Sequence, residues 1–126
     1  MKILVVTGSR HFTDYSQFST YMDIFVAERH FDLVVAGACQ GTDLMVERWC
    51  ENAQYLYVAF PILSWEWQRL GKLAGPNRNK RMVNLMKPDH CIAFLLQNVP
   101  NKGTKNCSAH CESLGIPTTY INVSQS

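Results

Sequence analysis

The stretch Lys2-Ile3-Leu4-Val5-Val6-Thr7-Gly8-Ser9-Arg10 decides the architecture. An unbroken apolar run, rich in β-branched residues and stopped by glycine, is the pattern of a parallel strand covered on both faces. Behind it, Phe18, Tyr21, Met22, Phe25 and Val26 recur at helical spacing over residues 15–29, after a cap at Thr13 or Asp14. The pair then repeats. Residues 32–36 form a second apolar strand ending at Gly37, and residues 42–52 a helix with Leu44, Met45, Val46 and Trp49 inward. Strands over 55–60, 89–95 and 117–123 and helices over 77–86 and 105–114 complete the alternation, with Gly115 at a helix C-terminus and an insertion carrying Trp65 and Trp67. Strands alternating with helices predict a doubly wound α/β fold, its mainly parallel five-stranded sheet covered by helices on both faces.

The 126 residues, 47% hydrophobic and 17% charged, suit one domain, here residues 1–123 with a short loose tail at 124–126. No apolar stretch approaches the roughly 20 residues of a membrane span, and no signal peptide is evident, so a cytoplasmic protein with no membrane partner is expected. A formal charge of +2 does not by itself identify a nucleic-acid binder. The five cysteines include no C-x-x-C pair, which argues for reduced thiols rather than a disulfide framework or zinc site. Cys107 and Cys111 fall at helical spacing, but His110, one residue from Cys111, does not share a face with it, and the four histidines are scattered. No metal and no cofactor is expected; only His11, beside the first glycine turn, is a candidate pocket residue.

In an open parallel sheet, ligands bind beyond the carboxyl ends of the strands, where the winding reverses. The residues placed there are distinctive. Gly8, Ser9 and Arg10 combine close backbone approach, a hydroxyl and a guanidinium able to fork onto phosphate. Gly37 and Gly41-Thr42-Asp43 precede a helix whose free N–H groups attract anions, although Thr42 or Asp43 is equally suited to capping that helix. Neither a P-loop nor a G-x-G-x-x-G fingerprint is present. Gly75-Pro76-Asn77-Arg78-Asn79 would put a cation into a first helical turn, where the dipole disfavours it unless an anion is near. Asn101-Lys102-Gly103-Thr104-Lys105 again sets glycine and hydroxyl at a helix start. Together the junctions describe a ring of donors for phosphate, ribose and base.

Gly8-Ser9-Arg10 with Asp14-Tyr15, Gly37-Ala38 with Gly41-Thr42-Asp43, Glu66-Trp67 leading to Gly71-Lys72 and Ala74-Gly75-Pro76-Asn77-Arg78-Asn79 with Met82, Ala93-Phe94, Gly103-Thr104-Lys105 and Gly115-Ile116-Pro117 follow in order along nearly the whole chain. In this the sequence resembles the YspA-type branch of the SLOG superfamily, Rossmann-like relatives of the LOG phosphoribohydrolases and of the DNA-processing protein A domain. The resemblance implies a nucleotide or nucleotide-derivative pocket at the ends of the first, second and fourth strands, and leaves the activity open among glycosidic hydrolysis, sensing and single-strand DNA binding. The chain departs from the LOG pattern at Val99-Pro100-Asn101-Lys102, where those enzymes carry proline-glycine-glycine, and at Cys107, where they carry a catalytic glutamate. A thiol does not replace a carboxylate that stabilises an oxocarbenium-like ribose.

Three functions therefore compete. The first is binding or sensing of a nucleotide-derived ligand through Gly8, Ser9, Arg10, Gly37, Gly41, Thr42, Asp43, Arg78, Asn79, Gly103 and Thr104. The second is a nucleoside monophosphate hydrolase, with Arg78 at the position resembling the family's catalytic arginine and Asp43 or Glu47 assisting the ribose. The third is a single-strand nucleic-acid binder using Arg69, Lys72, Arg78, Lys80 and Arg81 beside Trp65 and Trp67, tryptophans equally suited to packing over a sheet edge. Glu66 and Trp67 are placed as a lid and Tyr15 as a stacking group. Met82, Leu85 and Met86 form either a homo-oligomer surface or a core stripe.

Overall fold

The computed structural model describes residues 1–125. Its elements are β1 (Ile3–Gly8), α1 (Tyr15–Ala27), β2 (Leu33–Gly37), α2 (Thr42–Ala53), β3 (Leu56–Phe60), α3 (Ser64–Leu70), a 3-10 turn (Gly71–Leu73), α4 (Ala74–Met86), β4 (His90–Leu96), α5 (Lys102–Ser113) and β5 (Thr118–Val123). All pairings are parallel and the strand order is β3-β2-β1-β4-β5. This is the doubly wound, Rossmann-like fold that the alternation predicts.

Two-residue periodicity divides the strands between two cores. Leu4, Val6, Val34, Ala36, Ile92 and Phe94 face α1 and α2, whose Phe18, Met22, Phe25, Met45, Val46 and Trp49 cover them. Val5, Leu33, Val35 and Cys91 face the opposite layer, where Met82 and Val83 of α4 pack with Cys107 and Cys111 of α5. The chain winds outward from β1 to β3, crosses the sheet through α3 and α4, and winds the other way from β4 to β5. Right-handed crossovers consequently put the two helix pairs on opposite faces and open a crevice between β1 and β4.

Local chemistry fixes the ends. Asp14 caps α1 by accepting from the Gln17 N–H at 3.1 Å. Gly115, at φ 75°, ends α5 with its N–H on the Glu112 carbonyl at 3.0 Å. Gln17 Nε2 donates to the Ser124 carbonyl at 2.7 Å, and the Gln125 amide bonds the backbone of His11 and Thr13, so both residues lie against the start of α1. Ser126 lies outside the described residues.

Some expected details differ. The tryptophan insertion is helical, and α4 and α5 each begin three residues before the expected start, at Ala74 and Lys102. Pro76 is tolerated inside α4 because the first-turn N–H groups have no intrahelical acceptor. Leu44 is 55% exposed: on a helix whose buried face is Thr42, Met45, Val46 and Trp49, it falls on the far side. Met82 is core, whereas Leu85 is exposed. No helix among the described residues is long and apolar enough to cross a membrane.

Candidate ligand-binding site

A cleft of about 720 Å³ opens at the carboxyl ends of β1, β2 and β4, within the size range of small-molecule sites. Gly8, Ser9, Arg10, Asp43, Arg78, Asn79, Gly103 and Thr104 line it, together with His11. Gly37, Gly41 and Thr42 do not: they build the joint beneath it. The Thr42 hydroxyl, fully buried, donates to the Ser9 carbonyl at 2.8 Å, and the Thr42 N–H donates to the same oxygen at 3.2 Å. A Cβ on Gly8 would stand 2.5 Å from Thr42 Oγ1, and one on Gly41 would stand 2.6 Å from the Arg10 Cα. These glycines let the first two loops pack together.

Arg78 sits in the second turn of α4, not the first, and is 7% exposed. It lies over Gly37 and donates through Nη1 to the Phe60 carbonyl at 2.9 Å and through Nε to Asn79 Oδ1 at 3.0 Å. Asn79 in turn donates to Asn106 Oδ1 at 3.1 Å, joining α4 to α5. The guanidinium is thus a fixed positive charge under the cleft. Asp43 accepts from the Cys39 N–H at 3.1 Å. Burial outweighs the nearby Arg78 charge and the Cys39 bonds, pushing the Asp43 carboxyl up from 3.8 to about 6.

The start of α5 has a different character. Asn101, at φ 56°, turns its side chain back onto β4, accepting from the Leu96 N–H at 3.0 Å and donating to the Leu96 carbonyl at 2.9 Å. It therefore leaves the first N–H groups of α5 without a side-chain cap. Lys102 and Lys105 occupy that first turn, with no acidic residue to offset them against the positive helix end. Thr104 is 3% exposed and lines the cleft, and its hydroxyl has no hydrogen-bond partner among the described residues. Arg10 and Lys72 add exposed cations to the same cleft.

Other expected residues lie elsewhere. Cys107 is fully buried in the core behind Thr7, and its hydrogen bond with Cys111, with burial, holds the thiol well above its ordinary value. Glu47 is exposed and not among the lining residues. Tyr15 is not a cleft residue either: Arg48 covers its ring at 3.9 Å and Asn52 donates to its hydroxyl at 3.0 Å. Glu66 is no lid but a fully buried anchor, whereas Trp67 does line the cleft. The basic stretch is divided, with Arg78 buried and Arg81 paired to Glu66 at 2.9 Å. His110 bonds Asn84 at 2.9 Å, and no group of metal-ligating side chains occurs among the described residues.

Sequence reading overlooked Cys39 and Lys102 as lining residues, although both fall inside the junctions it singled out. Ile62, Val99 and Pro100 supply apolar lining that no motif signals.

No family model matches the chain, and no curated protein matches it in sequence. Its fold does match solved structures. DNA processing protein A (DprA) from Streptococcus pneumoniae is 14% identical, with a TM-score of 0.55 over 94% of this chain and 58% of that one. UDP-GlcNAc 2-epimerase from Neisseria meningitidis, solved bound to UDP-GlcNAc, is 15% identical, with a TM-score of 0.57 over 96% of this chain and 32% of that one. The chain thus spans little more than half of the first and a third of the second. At these identities the likeness establishes a DprA-like Rossmann fold.

Proposed function

We propose that the cleft binds a nucleotide or nucleotide-derived ligand, with its phosphate at the start of α5. One observation carries this reading: Thr104, whose hydroxyl makes no hydrogen bond among the described residues, lines the cleft at an uncapped helix N-terminus that carries lysines instead of acids. An anion at the helix start would accept from both the hydroxyl and the backbone donors. Arg10, Lys72 and the fixed Arg78 charge give the cleft the same sign. The YspA-type motif order supports the reading, as does the UDP-GlcNAc bound to one structural neighbour. A thermal-shift screen with ATP, ADP-ribose, NAD, AMP and cyclic nucleotides tests it. A saturable stabilisation supports the reading; failure of the whole panel contradicts it.

Hydrolysis of a nucleoside monophosphate is the second reading, favoured by Asp43. A carboxyl raised to about 6 in a ligand cleft is poised for proton transfer near neutrality, and Arg78 supplies a positive charge beside it. Against it, the carboxylate position of the LOG pattern is a core thiol here. Chromatography of the incubated ligand separates the readings: an intact nucleotide means binding or sensing, and free base with ribose phosphate means hydrolysis, lost in Arg78→Ala.

A further inference from the structure

We infer that Trp67 is a stacking platform for an aromatic base, so that the cleft takes a nucleoside phosphate in preference to a sugar phosphate of equal charge. This rests on the nucleotide reading above. Trp67 lines the cleft yet is 57% exposed, whereas Trp49, in the core, is 2% exposed. Its neighbour on α3, Trp65, is 46% exposed and is not among the lining residues. A large, half-exposed indole lining a cleft is suited to receiving a flat π-system.

The helix that carries the indole is held in place. Glu66 is fully buried, its Oε1 accepting from the Leu63 N–H at 2.8 Å and from Arg81 Nη2 at 2.9 Å, its Oε2 from Asn77 Nδ2 at 2.7 Å. Arg81 also donates to the Pro61 carbonyl at 3.0 Å. Gly71, at φ 53°, ends α3 with its N–H on the Trp67 carbonyl. The short helix is thereby fastened to α4 at the residue next to the indole.

The lining combines apolar Ile62, Trp67 and Pro76 with the cations Lys72 and Lys102 and the hydroxyl of Thr104. An indole and an anion-binding helix start in one cleft suit a nucleoside phosphate.

Calorimetric titration of adenosine 5′-monophosphate and of ribose 5-phosphate into the wild type, Trp67→Ala, Trp67→Phe and Trp65→Ala tests this. The nucleotide should bind the wild type roughly 5- to 150-fold more tightly than the sugar phosphate. Trp67→Ala should remove that advantage while leaving sugar phosphate affinity and melting temperature unchanged. Trp67→Phe should keep most of it, and Trp65→Ala all of it. Equal wild-type affinity for the two compounds, equal weakening of both by Trp67→Ala, or the same loss from Trp65→Ala would overturn the platform and leave the anion site standing. Binding of neither compound would overturn the nucleotide reading, and the platform with it.

Discussion

The Arg78 guanidinium lies directly across Gly37: a Cβ at that position would stand 2.7 Å from Arg78 Cζ and 2.9 Å from Asp43 Oδ2. Neither neighbour yields easily, since Arg78 is tied to Phe60 and Asn79, and Asp43 to Cys39. Gly37→Ala should therefore destabilise the protein by about 2 kcal/mol, as overpacking does. Chemical denaturation measures it; an unchanged midpoint would show that Arg78 moves freely.

Gly103 presents the opposite case. A Cβ there meets nothing within 4 Å, the residue is helical, and it lines the cleft. Gly103→Ala should leave the free protein as stable or up to about 1 kcal/mol more stable, because alanine is the better helix former. Ligand affinity should nevertheless fall at least about tenfold, since the methyl occupies the approach to the α5 N–H groups. Undiminished binding would place the phosphate elsewhere.

Asp43 makes a pH prediction with a definite sign. Its carboxyl titrates at about 6 when folded, against 3.8 ordinarily, so the folded state holds the extra proton between those values. Unfolding free energy then falls as pH rises from about 4 to 6, and the penalty is complete above that window. The shift corresponds to at most about 3 kcal/mol. Asp43→Asn removes the slope, so its stability relative to wild type should climb across that window and level off near neutrality. Parallel pH profiles for the two proteins would refute the raised carboxyl.

Glu66 acts with the opposite sign. The Leu63 N–H, followed by Asn77 and Arg81, holds its carboxyl below the ordinary 4.5 against the effect of burial. Its stabilisation is present above 4.5 and is lost as pH falls through the lowered value. Glu66→Gln should cost about 2 kcal/mol at pH 7 and converge with wild type in acid. A pH-independent difference would mean that shape, not charge, fastens α3.

The sheet is legible because its central strands, buried on both faces, read as apolar runs, and because the first two end in glycine at Gly8 and Gly37. The cleft's location followed from strand order. What stayed hidden was the division of labour among the glycines. Gly8 and Gly37 have the same local sequence whether or not a Cβ there would meet Thr42 and Arg78, as it would in this fold. Thr42 and Arg78 are distant in sequence, so no local pattern distinguishes the cases. Helix α3 was hidden because its buried residue is Glu66 while its tryptophans face outward, inverting the usual amphipathic signal. Tyr15 was misplaced because its partners Arg48 and Asn52 lie on another helix.

Thr104 offers the most direct test of the phosphate site. Its hydroxyl, unpaired among the described residues, contributes nothing visible to the fold, so Thr104→Val should leave thermal stability unchanged or raise it by up to about 1 kcal/mol. Calorimetric titration of the tightest nucleotide from the screen should show saturable binding to wild type and at least about tenfold weaker binding to Thr104→Val. Equal affinity for both proteins, or no heat with any nucleotide, would contradict a phosphate site at the start of α5.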